Sequence, residues 1–356
     1  MRTSIIATLL TVLLTTGTTS SIADDDIAHA AKVTVLSSNL ANGATTGEWG
    51  FSAMVQTADH CTLFDAGRFT DTVVNNATAL QVDLGCVRNI VLSHFHFDHT
   101  SGLASVVARI RASGYADKLD VYVGEGFFIP RIIDMNHPAG AMGVKVFGAS
   151  SVNFMQEKRA QLEALGLVFH EISQPTQITQ GVWATGPVPR VYPEQNHPSW
   201  VLLQRPNGET TPDTVPESQG LVVRTQQGPI VLLGCGHSGA VNMLSLVRQK
   251  IQDKDINALM GGMHLFNADQ QTVRWTGVKL KELGLKHLMA GHCTGVEPMF
   301  QLRQALGLNR SQAVMGAVGA SFSLAKGVMP TDLAKSVGRS GAHYHESALG
   351  FAKRLL

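Results

Sequence analysis

The chain has 356 residues, of which 44% are hydrophobic and 15% charged, a balance that excludes a disordered chain and provides for a large core. Lysine and arginine number 28 against 27 aspartates and glutamates, so the net charge of +1 gives no electrostatic reason to expect nucleic acid or a membrane surface as partner. A small-molecule substrate is the expectation; oligomeric state is not legible.

In chain order, Arg2 and the apolar stretch 5–14 have the length and charge of a signal peptide, too short to span a bilayer. Ser21, Ile22 and Ala23 form a small-x-small cleavage pattern before an acidic run. Residues 1–23 are therefore expected to be removed on export to the periplasm or medium, leaving no stable membrane insertion. Residues 33–65 read as hairpin material, with strands at 33–36, 51–55 and 62–64 punctuated by Gly43, Gly47 and Gly50. A buried strand at 90–92 runs into a His-rich loop, and 102–113 has helical spacing in Leu103, Val106, Val107 and Ile110. Strand and helix then alternate: strands at 121–123, 168–172, 221–225, 230–233, 258–260 and 287–290, helices at 156–165, near Val241, and at 273–283. Residues 134–151 and 204–219 read as loops, and 326–356 as a polar tail. Helices between strands fit sheets covered by helices, with 33–325 as one domain. Among the four cysteines of an exported chain, Cys61 and Cys86 flank strands that can be neighbours, which allows a disulfide. Cys235 and Cys293 lie instead inside motifs, where a thiol beside a metal is the competing role.

The strongest motif is Ser93-His94-Phe95-His96-Phe97-Asp98-His99-Thr100, directly after the apolar strand. In extended backbone alternate side chains share a side, so His94 and His96 converge on one ion, and the following turn brings Asp98 and His99 to a second. Imidazole and carboxylate suit zinc first, with manganese or iron as alternatives. Two further segments repeat the plan of apolar strand, glycine turn and imidazole. They are Gly234-Cys235-Gly236-His237-Ser238-Gly239 and Gly291-His292-Cys293-Thr294-Gly295, and they add His237 and His292 as ligands of two divalent ions. His264, in Gly261-Gly262-Met263-His264-Leu265, is placed outside the ligand set, as a substrate-binding residue or a support behind the ligands. Asp65, in Leu63-Phe64-Asp65-Ala66-Gly67, is expected to hydrogen-bond a metal-binding histidine, or else to cap a turn. Arg190 is read as a clamp for an anionic substrate group, with a surface ion pair as the alternative.

These residues together resemble the metallo-β-lactamase superfamily, whose hallmark is the His-x-His-x-Asp-His loop. The accessory motifs are similar to those of a narrower branch, the metal-dependent hydrolases related to dihydropterin-ribofuranosylaminobenzene phosphate synthase. The matching segments are 63–67, 93–103, 185–190, 234–242, 261–265 and 291–295, in that order. Ser101 departs from the branch, standing where the first glycine of a Gly-Gly-Leu run is usual. The resemblance implies an α/β fold, a four-layer αββα sandwich, with a binuclear metal centre. It leaves three readings of function. The first is an exported hydrolase that uses a metal-activated hydroxide on an ester, lactone, amide or phosphoester, with Asp98 as the catalytic carboxylate. The others are a synthase-like transferase that forms a carbon–nitrogen bond and a non-catalytic periplasmic metal- or ligand-binding protein.

Overall fold

The computed structural model describes residues 26–58, 60–147, 152–197 and 199–331. The expected signal peptide, residues 1–23, and most of the expected tail lie outside them. The first half of the chain contains β1 (Ala31–Ser37), β2 (Ser52–Thr57), β3 (Cys61–Phe64), α1 (Thr72–Ala79) and β4 (Val87–Val91). It continues with α2 (Phe97–Thr100), α3 (Leu103–Ala112), β5 (Leu119–Gly124), β6 (Arg131–Ile133), α4 (Gly140–Phe147), α5 (Phe154–Ala164) and β7 (Leu167–Ile172). The second half opens with β8 (Thr176–Thr179), β9 (Val182–Ala184), β10 (Val201–Gln204), β11 (Thr210–Pro212), β12 (Gly220–Val223) and β13 (Ile230–Leu233). Next come α6 (Ala240–Lys250), β14 (Ala258–Gly261), α7 (Gln270–Glu282), β15 (His287–Ala290) and α8 (Val296–Leu306). The last elements are β16 (Ala313–Met315), β17 (Ser321–Ser323) and β18 (Gly327–Met329).

Two large sheets result, one in the order β18-β17-β1-β2-β3-β4-β5-β7 and the other β16-β15-β14-β13-β12-β9-β8, with a small third sheet β11-β10-β6. The central strands are buried on both faces, and their side chains alternate between cores as a period of two requires. In β13, Ile230 and Leu232 enter the core between the sheets, while Val231 and Leu233 pack with Leu244, Val247 and Leu280 of α6 and α7. In β3 and β4, Phe64 and Val91 point to the same central core, whereas Leu63 and Ile90 meet Val106 and Ile110 of α3. Three apolar layers therefore separate four layers of secondary structure, the αββα sandwich expected from the sequence.

The structure departs from the sequence reading in places. The stretch 134–151 contains α4, and 204–219 contains β11, which pairs with β10. The first sheet continues past residue 325 into β18, which pairs with β17. Helices α1 and α8 were not anticipated.

Parallel pairing sets the direction of chemistry. Strands β3 and β4 run parallel, as do β13, β14 and β15, so the loops that follow all five emerge where ligand sites of α/β folds gather. The two halves are tied at that edge: the Gln219 amide donates to the Ser93 carbonyl at 2.9 Å, and its side chain to the Leu92 carbonyl at 2.9 Å.

Cys61, at the start of β3, and Cys86, just before β4, form a disulfide across a separation of 25 residues. Closing a loop of this length removes unfolded-state entropy equivalent to about 3 kcal/mol. Replacing both cysteines by serine is expected to lower the free energy of unfolding by about that amount, measured by denaturant titration; an unchanged midpoint would contradict the cross-link.

Candidate metal centre

Each donor is delivered by a strand end. The loop after β4 carries His94 and His96, and the single turn α2 that follows carries Asp98 and His99. The turn after β13 brings Cys235 and His237, and the one after β15 brings His292. Backbone strain accompanies this delivery: Asp65, His264 and His292 all have positive φ, at 57°, 50° and 48°. L-residues seldom adopt this conformation, and it persists where surrounding structure over-determines it. Close approach also requires glycine, because a Cβ at Gly234 would lie 2.0 Å from Ser93 Oγ and 2.7 Å from Asp65 Oδ2.

Two sets of donor atoms face inward. In the first, His94 Nε2 lies 2.9 Å from His96 Nδ1, and His237 Nε2 lies 3.2 Å from the former and 3.3 Å from the latter. In the second, Cys235 Sγ lies 3.2 Å from both His99 Nε2 and His292 Nε2, while Asp98 Oδ2 is 3.6 Å and 3.4 Å from the same two nitrogens. Cys235 Sγ is also within 4.8 Å of the donors of His94 and His237, which puts the thiol between the sets. A tetrahedral ion about 2.0–2.1 Å from its nitrogens holds them roughly 3.3 Å apart, so these spacings fit a divalent ion. The chemistry of the donors fits as well, since buried imidazole nitrogens have no reason to crowd unless they share a cation.

The outward atoms complete the case. His94 Nδ1 meets Ser93 Oγ at 2.8 Å, His99 Nδ1 meets Asp65 Oδ2 at 2.7 Å, and His292 Nδ1 meets Asn39 Oδ1 at 3.4 Å. His237 Nδ1 meets the Asn196 carbonyl. Partners of this kind fix ring orientation and tautomer and leave the other nitrogen free to ligate. Asp65 also accepts from the Ser93 amide at 2.7 Å and the Ser93 hydroxyl at 2.8 Å, so one carboxylate orients both halves of the loop.

Protonation follows the same geometry. Burial, then the charges of neighbouring imidazoles, pushes His94 and His237 well down. Burial also brings His96 down, to about 3, against the opposing pull of Asp98. Burial alone would raise Asp98, but His99, His292 and His96 outweigh it and hold the carboxyl below the usual range. His99 goes the other way: Asp98 and Asp65 overcome its desolvation and lift it to about 9. Burial and the neighbouring Cys293 keep the Cys235 thiol well above its ordinary value. The first set is thus already in the neutral, ligating form, whereas His99 and Cys235 must release protons to a cation.

The six residues expected as ligands, His94, His96, Asp98, His99, His237 and His292, come together in one centre. Cys235, read in the sequence as a thiol beside a metal but left out of the ligand set, stands with the donors; its place one residue before a glycine and two before His237 was the available signal. His264 lines the adjoining cavity, its ring 4.9 Å from that of His237. Arg190 is placed differently from the expectation: its Nη2 donates to the carbonyls of Thr214 and His237, and the residue does not line the cavity. The guanidinium holds the β13 turn from behind instead of meeting substrate.

A second layer of charge lies under the loop. Arg131, wholly buried, stacks 3.8 Å from the Phe95 ring centroid and pairs with Asp213 at 3.0 Å and Glu217 at 2.6 Å. Glu217 Oε1 in turn accepts from the Phe95 amide at 3.4 Å.

The fold and the arrangement of these donors resemble those of the metallo-β-lactamase superfamily. The chain has the metallo-β-lactamase fold, and residues 48–146 match the family model described as the metallo-β-lactamase superfamily. A solved metal-dependent hydrolase of the β-lactamase superfamily superposes with a TM-score of 0.64 at 21% identity, covering 82% of this chain and 98% of that one. A metallo-β-lactamase fold protein from Bacillus subtilis gives a TM-score of 0.50 at 13% identity over 83% of this chain and 99% of its own. Within that class the sequence is similar to the 7,8-dihydropterin-6-methyl-4-(β-D-ribofuranosyl)-aminobenzene-5'-phosphate synthase of Methanocaldococcus jannaschii. The two are 28% identical over 251 residues, 67% of this chain and 77% of the synthase.

Asp65→Asn would set an amide N–H against His99 Nδ1. Metal affinity is expected to fall by about 10- to 100-fold with the fold retained; titration with a zinc indicator checks it, and an unchanged affinity would remove Asp65 from the orienting role. Stability offers a separate check. Burial pushes Glu194 up from 4.5 to about 7, against the amides of Asn242, Val241 and Ala240 in the first turn of α6 and the charge of Arg190. The folded state therefore holds this proton more tightly than the unfolded chain, so its contribution to stability is complete below 4.5 and lost as pH rises through about 7. Glu217, also pushed up to about 7, adds to the same slope. Glu194→Gln is expected to flatten, but not abolish, the fall in melting temperature across that window, followed by circular dichroism. A slope identical to that of the parent would assign the whole decline elsewhere.

Proposed function

We propose that the chain is an exported metal-dependent hydrolase acting on an ester, lactone, amide or phosphoester. The reading rests on one observation: four imidazoles have their outward nitrogens anchored while the inward ones converge, with Asp98 and Cys235, beside an open cavity. His94, His96 and His237 would hold one divalent ion, and Asp98, His99, Cys235 and His292 a second, with zinc favoured by the imidazole and thiolate donors. When bound, such ions supply Lewis acidity and a water of lowered pKa. Asp98, buried, ionised and lining the cavity, would orient the attacking water. His264 stands at the cavity wall beside His237, where its ring would meet a substrate oxygen. Export is supported by the signal-like residues 1–23 and by the Cys61–Cys86 disulfide, which suits an oxidising compartment.

A second reading, a synthase joining a pterin to a phosphoribosyl aminobenzene, is favoured by the 28% identity to the M. jannaschii enzyme. Assaying the purified protein on lactone, phosphodiester, sulfate-ester and β-lactam substrates separates the two. Hydrolysis abolished by a chelator and restored by zinc or manganese is expected; pterin coupling without hydrolysis would replace the first reading by the second. Elemental analysis tests the ligand assignment. His96→Ala and Asp98→Ala are each expected to lose metal, and two ions retained in both variants would refute it.

A further inference from the structure

Beside the metal centre lies a cavity of about 960 Å³, large enough for a drug-sized molecule. Its walls carry Trp49, Phe97, Trp200, Phe266 and Trp275. Trp49 and Phe266 stand edge to face at 5.5 Å, and Trp49 lies 5.1 Å from the His292 ring, so the aromatic wall begins at the ligands themselves. The ionisable lining is acidic or imidazole: Asp98, Glu194 and Asp269 beside His96, His197, His237 and His264, with Cys235 and Cys293 as thiols. Among the described residues no lysine or arginine lines it, and residues 148–151 and 198, outside the description, include neither type.

The nearby guanidiniums are engaged elsewhere. Arg68 stacks on Phe97 and Phe69 at 5.1 Å and 5.3 Å, Arg131 is buried beneath Phe95, and Arg190 is bonded to two carbonyls. Arg274 is exposed on α7 and does not line the cavity. A phosphate or carboxylate on the part of a substrate away from the metals would therefore meet aromatic faces and carboxylates, with no lysine or arginine among the described lining residues. Flat apolar groups, by contrast, gain contact area and favourable ring geometry there.

Resting on the hydrolase reading, we infer that the cavity selects substrates whose group distal to the scissile bond is aromatic and uncharged, and rejects those carrying a distal anion. Specificity is set by the Trp49–Phe266 wall and by the exposed Asp269 carboxylate at its rim, separately from the ligands that carry the chemistry.

The test uses the zinc-loaded chain and two matched esters, 4-nitrophenyl 3-phenylpropanoate and its analogue with a para-carboxylate on the phenyl ring. The neutral ester is expected to be favoured about tenfold or more in kcat/KM, mainly through KM, because like charges across an interface are repelled. Trp49→Ala and Phe266→Ala are expected to raise KM for the neutral ester with metal content unchanged, and Gln271→Lys, a cation added to the wall, to narrow the ratio. The corresponding primary amides, followed by tryptophan fluorescence, report binding without turnover. Selective binding of the neutral amide with neither ester hydrolysed would sink the hydrolase reading and leave the selectivity standing. Equal turnover or equal binding of the neutral and anionic partners, or no binding of either amide, would overturn the inference itself.

Discussion

Imidazole nitrogens pressed to within about 3 Å of one another, with water largely excluded, are the constraint on which the rest of this structure depends. Nothing in the apolar cores requires them, and without a shared cation their lone pairs oppose. The surroundings are built to hold that arrangement. Ser93, Asp65, Asn39 and the Asn196 carbonyl come from different parts of the chain, and each occupies the outward nitrogen of one ring. Three residues with positive φ stand at the strand ends that bear or support the donors. Strain and buried polarity thus concentrate where function resides.

Rigidity at that edge comes from a buried ionic group as much as from the sheets. Arg131 belongs to β6, in the small third sheet, whereas Asp213 and Glu217 follow β11 and precede β12. The guanidinium lies flat under Phe95, between His94 and His96, and Glu217 takes the Phe95 amide. A hydrophobic replacement of similar volume would satisfy packing, but it would leave the Phe95 amide without its acceptor and the loop without a fixed height. What looks in sequence like an irregular excursion between the two halves therefore carries the support of the metal loop.

This explains what was legible and what was not. His94, His96, Asp98 and His99 could be read because their spacing and the apolar strand before them are local. His237 and His292 followed from a repeated local plan. The alternation of strands and helices made sheets covered by helices legible, since strands buried on both faces are continuous apolar runs, whereas the four-layer αββα arrangement came from the family resemblance. Arg190 could not be placed, because its partners are the carbonyls of Thr214 and His237, and no side-chain pattern announces a backbone acceptor. Cys235 was ambiguous because a thiol can form a bridge or face a metal, and only the facing nitrogens of His99 and His292 favour the second role. Strand β11 and helix α4 were hidden by Pro-, Thr- and Gly-rich composition that tertiary pairing overrides.

The division of labour within the site follows from the same layering. Donors sit at the ends of β4, β13 and β15, pinned by ladders on both sides, so their geometry belongs to the fold. The cavity walls come instead from residues 193–197 and 199–201 and from the segment 264–276 that leads into α7, together with Trp49. Loops of this kind change without disturbing a sheet. A chain can therefore share strand ends and metal chemistry with a synthase or a hydrolase while its walls select a different molecule, and the similarity that identifies the fold carries no information about what the walls accept. That information lies in the side chains facing the cavity, where, among the described residues, aromatic rings and carboxylates stand and arginine and lysine do not.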